Sequence, residues 1–236
     1  MPHAYDEYLV PRLYTPWARK LLETAKLGPN HHLLDVACGT GAVARLAGPV
    51  VGMRGRVVAC DLSRPMLDAA RAHHRLPTAA GIEYFEVAAE ELPFEDRSFQ
   101  VVTVQHGLQY FKQRGRAVAQ ISRVLQKGGR IGASIWGSLE TCHFWHALAI
   151  AFKKSIPPLN EELLKANAFT GAEALGELLE AVGFIKVEIH TEKMPMVFRR
   201  RCCAGSASRA RHTLRSEDIR VGYHPARVRS GGETGL

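Results

Sequence analysis

Residues 33–41 read LLDVACGTG, and the fold follows from them. Apolar residues broken only by Asp35 make a buried strand. Glycines at 39 and 41 then make a tight turn, and AVARLA, immediately after, reads as the start of a helix. Glycine in such a turn lets the chain reverse sharply and lets a ligand approach the backbone with no Cβ in its way. Amides at the start of the following helix favour a carboxylate or phosphate. Twenty residues past Gly41, the stretch VVACD at 57–61 is a second strand that ends on Asp61, an acid placed to accept both hydroxyls of a ribose. A tight turn plus a capping aspartate would account for the parts. The combination of strand, glycine turn, helix, strand and acid points to a nucleotide-type ligand. Gly39, Gly41 and Ala44 also fit the dinucleotide pattern of dehydrogenases, so this grammar leaves the nucleotide open.

Working outward, a helix is expected over residues 16–27, with Thr15 as N-cap and Gly28-Pro29 as its stop. Ser63 caps a helix from Arg64 to about Arg75. Strands are expected at 82–88, 99–105 and 186–192, and a further strand at 130–136 after the pair Gly128-Gly129. Helical spacing of apolar residues marks 114–126 and 172–182, and another helix is expected over 141–155. Strands alternating with helices imply right-handed crossovers: an α/β, Rossmann-like, doubly wound and mostly parallel sheet with helices on both faces. Ligands of such sheets sit outside the carboxyl ends of the strands.

At 236 residues, with 46% hydrophobic and 23% charged residues, the chain fits one globular domain. No apolar run approaches the ~20 residues of a membrane span, and the start MPHAYDEYLV lacks the form of a secretion signal. The expected location is cytoplasmic. Five cysteines, an odd number with two adjacent and none in a C-x-x-C pair, read as reduced thiols. The net charge of +8 is concentrated in the tail, where residues 199–236 carry nine arginines against three acids; the body is nearly neutral. That distribution disfavours nucleic acid as the partner of the fold. The tail has little apolar periodicity and is expected to be largely disordered. Three segments follow: an N-terminal helical lid at 1–30, the ligand-binding domain at 31–198, and the arginine-rich tail at 199–236.

Four blocks extend the pattern: LLDVACGTGAVAR (33–45), VVACDLSRPMLDAAR (57–71), AAEELPFEDRSFQVVTVQHGLQYF (88–111) and ISRVLQKGGRIGASIW (121–136). In order and spacing they resemble the small class I methyltransferases related to ubiquinone/menaquinone-biosynthesis enzymes, often called type 11. The resemblance covers about residues 5–198 and implies S-adenosyl-L-methionine as cofactor and a small molecule as methyl acceptor. It implies that Gly39, Thr40 and Gly41, with Ala37 and Cys38 in the same turn, lie along the methionine part of the cofactor, with Asp35 bracing the turn. Asp61 would hold the ribose hydroxyls, with Leu62 and Met66 near the adenine. Ala89 and Glu90 would read the adenine amino group, and Gln105 and His106 would stand beside the sulfonium methyl. Ala37 replaces the family's usual first glycine, and His106 stands where glutamine is usual. The family continues past Phe198 with a last antiparallel strand inserted beside the fifth, and this tail shows no such strand. The strand is therefore expected to be missing or altered.

Methyl transfer from a sulfonium needs alignment and exclusion of water, and needs a base only if the acceptor must lose a proton. His106 is the candidate base, its type suited to proton transfer near neutrality; a polar side chain ending a strand is the plainer reading. Tyr5, Tyr8, Trp17, Trp136, His143 and Trp145 lie on segments that cover the pocket in this family. No metal is implied, since His73 and His74 are adjacent on a helix and diverge. Three other readings compete: a cofactor-binding protein without turnover because of its altered C-terminus; a nicotinamide oxidoreductase, disfavoured because no Tyr-x-x-x-Lys pair follows the fourth strand; and an RNA methyltransferase recruited by the arginine tail.

Overall fold

The computed structural model describes residues 2–73, 79–138, 142, 145–147, 149–150, 171–195 and 220–230. Its strands are β1 (His32–Val36), β2 (Arg56–Asp61), β3 (Ile82–Glu86), β4 (Phe99–Gln105), β5 (Leu125–Trp136), β6 (Phe184–Ile189), β7 (Glu192–Pro195) and β8 (Arg220–Ser230). They form one sheet in the order β3-β2-β1-β4-β5-β8-β6, with β7 also paired to β8. The first five are mutually parallel. The helices are α1 (Tyr5–Tyr14), α2 (Thr15–Thr24), α3 (Ala42–Val51), α4 (Arg64–Arg71), α5 (Arg114–Val124) and α6 (Ala172–Glu180).

Alternation along the central strands sends successive side chains to opposite faces. Leu33, Val57 and Val101 pack with Leu21, Val43 and Ala47 on the α2–α3 side, while Leu34, Val58 and Val102 pack with Val118, Ile121, Leu175 and Leu179 on the α5–α6 side. Apolar residues cover both faces, which is the doubly wound arrangement expected of these strands. A third cluster, Leu13, Trp17, Trp136, Cys142 and Trp145, joins the N-terminal helices to the end of β5. No helix among the described residues is long and apolar enough to cross a membrane.

Three expectations are corrected. The last antiparallel strand, expected to be missing or altered, is present: β8 lies antiparallel between β5 and β6, pairing Arg130 with Arg229 and Phe184 with Ser230. Two strands with open edges on either side offer every residue of the inserted segment backbone partners, and that outweighs weak side-chain periodicity. Val221, Tyr223 and Val228 are strand formers whose signal is diluted by arginine and by Pro225. The remaining tail residues and most of the helix expected over 141–155 lie outside the described residues. Second, Gly128-Gly129 does not open β5. The strand begins at Leu125, and a bulge opposite β4 absorbs the glycines, with Gly128 at φ +74°. Third, Thr15 is not an N-cap: it lies inside the helical run, because residues 5–14 already form α1, a wide π-type helix that continues into α2 although Pro11 lies within it.

Candidate active site

The carboxyl ends of β1, β2 and β4 open into one cavity of about 960 Å³. Ala37 carries the chain out of β1 in a left-handed conformation, φ +55°, and Gly39 and Gly41 follow at +54° and +77°. No atom lies within 4 Å of where a Cβ on Gly39 would stand, so the backbone is open there. A Cβ on Gly41 would meet the Tyr84 hydroxyl at 2.9 Å. Asp61 fastens the turn. Its Oδ2 accepts the Gly39 amide and its Oδ1 the Ser63 amide, both at 2.8 Å. Each oxygen keeps a second lone pair for a ligand hydroxyl.

Beneath the turn, Asp35 is buried at 1% exposure and accepts the Thr103 hydroxyl at 2.8 Å. Burial pushes its carboxyl up to about 7, against the Thr103 hydroxyl and the Ala44 amide, which hold it down. A carboxyl raised from 3.8 to about 7 binds its proton more tightly folded than unfolded. Its contribution to stability is complete below about pH 4 and is lost as pH rises through 7. Unfolding free energies from urea titrations at pH 4.5 and 7 are expected to fall by on the order of 1 kcal/mol per pH unit more in the wild type than in Asp35→Asn. Parallel curves for the two proteins would show that Asp35 titrates normally.

Of the residues singled out in the sequence, Asp35, Ala37, Cys38, Gly39, Thr40, Asp61, Leu62, Met66, Ala89, Glu90, Gln105 and His106 all line this cavity. Gly41 does not; it lies behind the turn, against Tyr84. Leu62 is 68% exposed on the rim. Glu90 accepts the Gln113 amide through Oε1 and Arg116 Nε through its carbonyl, at 3.2 and 3.1 Å. Gln105 donates to the Tyr14 carbonyl at 2.8 Å, tying the end of β4 to α1.

At the β4 end the wall is aromatic. His106, left-handed at φ +53°, stacks on Trp136 with ring centres 3.7 Å apart and planes 8° from parallel. Tyr14 meets both rings edge-on at 6.0 Å. Burial pushes the His106 imidazole down to about 3, so it is neutral at physiological pH. Tyr5 and Trp136 line the cavity. Tyr8 does not and is 55% exposed, and Trp17 and Trp145 are packed in the third cluster. His143 lies outside the described residues.

Several wall residues were not foreseen in the sequence. Val10, Val87, Tyr110, Phe111 and Arg116 reach the cavity from positions with no ligand signature. Gly107 is the clearest: a Cβ there would meet the Ala37 Cβ at 2.7 Å, so the two strand ends can approach only if this residue is glycine. Its place directly after His106 in QHG was the available signal.

The model of the ubiE/COQ5 methyltransferase family matches residues 9–197. The ubiquinone/menaquinone biosynthesis C-methyltransferase UbiE of Pseudoalteromonas translucida is 34% identical over 116 residues, 49% of this chain and 46% of that protein. The demethylmenaquinone methyltransferase of Lactococcus lactis is 33% identical over 172 residues, 66% of each. The chain thus spans between about half and two thirds of the length of these curated relatives. Among solved structures, phosphoethanolamine N-methyltransferase 2 of Haemonchus contortus, in complex with phosphomonomethylethanolamine and S-adenosylhomocysteine, shares the fold with a TM-score of 0.65 at 16% identity, over 98% of this chain and 57% of that one.

Proposed function

The chain belongs to the ubiE/COQ5 methyltransferase family, and from that premise we propose that it transfers a methyl group from S-adenosylmethionine to a small-molecule acceptor. The observation that carries this reading is that one cavity joins the Gly39 turn and Asp61 to the His106–Trp136 stack. The residues fit the cofactor. Open backbone at Gly39 admits its amino-acid end, free lone pairs on Asp61 suit its ribose hydroxyls, and Leu62 and Met66 offer apolar surface to its base. Ala89 and Glu90 reach the same wall from beyond β3, and Gln105 and His106 from the end of β4.

The bound cofactor supplies a methyl group already activated on sulfur. The protein's work is alignment and exclusion of water. Tyr14, His106 and Trp136 present flat apolar faces that hold an acceptor ring, and α1 covers the opening through Tyr5, Val10 and Tyr14. We assign His106 to the wall and not to proton transfer, because an imidazole held at about 3 is a weak base at neutral pH. His106→Phe keeps a flat ring on Trp136 and is expected to lose less than about tenfold in rate, with the pH profile unchanged. A loss of 10²–10⁴, the usual contribution of a general base, together with loss of the profile's acid limb, would make His106 the base after all.

The first test is transfer of labelled methyl from S-adenosylmethionine to a demethylated quinol, the acceptor class for which the curated relatives are named, beside calorimetric titration with S-adenosylhomocysteine. Binding and transfer support the reading. Binding with no transfer to quinols or to a broader panel supports a cofactor-binding protein without turnover. No binding by the folded chain defeats both.

A further inference from the structure

One carboxylate near the cavity has no part in the reading above. Asp6 belongs to α1 and does not line the cavity, yet it is only 17% exposed. Its Oδ1 accepts the Thr40 hydroxyl at 2.6 Å and faces Arg45 Nη2 at 3.5 Å. Its Oδ2 pairs with His73 Nε2 at 2.7 Å. Arg45 in turn donates through Nη1 to the Thr40 carbonyl. A single side chain of the N-terminal segment is thereby tied to the glycine turn, to α3 and to the residues just past α4, contacts that span 34, 39 and 67 positions of sequence. Beside it, Tyr5 enters the cavity wall. Its ring lies 5.0 Å from that of Tyr14, and burial next to Tyr110, Asp61 and Asp6 drives its phenol upward.

We infer that Asp6 is a latch: it holds α1 down on the glycine turn, and a ligand must break it to enter or leave the cavity beside that turn. The inference rests on the reading that this cavity takes S-adenosylmethionine. Three contacts on one side chain release together when α1 lifts, so the latch opens as a unit and not by gradual fraying. The contacts are partly buried, which makes them stronger than exposed ion pairs. Because Asp6 is a positioning residue outside the cavity wall, its removal lowers the barrier to passage without deleting a ligand contact. Thr40 gives the latch its connection to the site. The residue whose hydroxyl is held by Asp6 is also a wall residue of the cavity, so displacement of the turn and lifting of α1 are mechanically linked.

The test uses the full chain, S-adenosylhomocysteine as probe, and stopped-flow tryptophan fluorescence, Trp136 being a wall residue. In Asp6→Ala, which removes all three contacts, entry and release rates are each expected to rise at least about tenfold, the equivalent of one charge-assisted hydrogen bond, with Kd within about threefold of wild type. His73→Ala, a milder change at the half-exposed partner, should move both rates in the same direction by less. Hydrogen exchange of the ligand-free chain supplies a second readout: amides of residues 2–14 should lose protection in Asp6→Ala while those of β1 and β4 keep theirs. Release at the wild-type rate overturns the latch, and so does faster release with an unchanged entry rate, which would mark Asp6 as a support for bound ligand alone. A wild-type chain that binds no S-adenosylhomocysteine defeats the methyltransferase reading instead. The latch is then judged on exchange, where retained protection of residues 2–14 in Asp6→Ala overturns it.

Discussion

Asp61→Ala is expected to weaken S-adenosylhomocysteine binding by about 100-fold or more. Two ligand hydroxyls bonded to one carboxylate contribute about 1.5–3 kcal/mol each, and every 1.4 kcal/mol is a factor of ten. The substitution also frees the amides of Gly39 and Ser63, both now held at 2.8 Å, so the turn that shapes the site loses its fastening to β2. Calorimetry checks the first effect. Asp61→Asn, which keeps an acceptor oxygen but no charge, should fall between wild type and alanine. A Kd for Asp61→Ala within threefold of wild type would show that Asp61 only braces the turn and that the ribose is held elsewhere.

Gly107→Ala is expected to cost about 1–3 kcal/mol of stability, the usual penalty for forcing a methyl group into a packed site. Conformation is not the obstacle, since Gly107 has φ −94°, which alanine adopts readily. The obstacle is position: the new Cβ would stand 2.7 Å from the Cβ of Ala37 and 3.1 Å from Val104 Cγ1. Ala37 cannot rotate away, because its Cβ is fixed by a backbone already in the left-handed region at φ +55°. Relief therefore requires the ends of β1 and β4 to separate, which displaces the cofactor turn. A lowered urea midpoint with weakened S-adenosylhomocysteine binding is the expected pair of results. Full stability would mean that the two strand ends yield easily and that the cavity floor is softer than its packing implies.

These two residues differ in how visible they were. Asp61 was legible because a strand ending on an acid twenty residues after a glycine turn is a local pattern, carried by periodicity and residue type. Gly107 carried only the neighbourhood of His106, since its constraint comes from Ala37, seventy positions away and brought close only by the pairing of β1 with β4. His106 itself was read by its type as a candidate base, beside the plainer reading of a polar side chain that ends a strand. Its environment, a stack on Trp136 from the end of β5, holds it neutral and could not be seen from either stretch alone.

The sequence by itself determined the parallel core of the sheet, the glycine turn and the acid that follows it. Each of these arises within some thirty residues, where hydrophobic period and glycine placement act directly on the local backbone. Only the tertiary structure decided the place of β8, which pairs antiparallel with β5 on one side and with β6 and β7 on the other. The tertiary structure likewise decided that α1 closes on the turn through Asp6. Contacts of that kind depend on which side chains the finished sheet brings within 3 Å of one another, and no periodicity along a single chain encodes that distance.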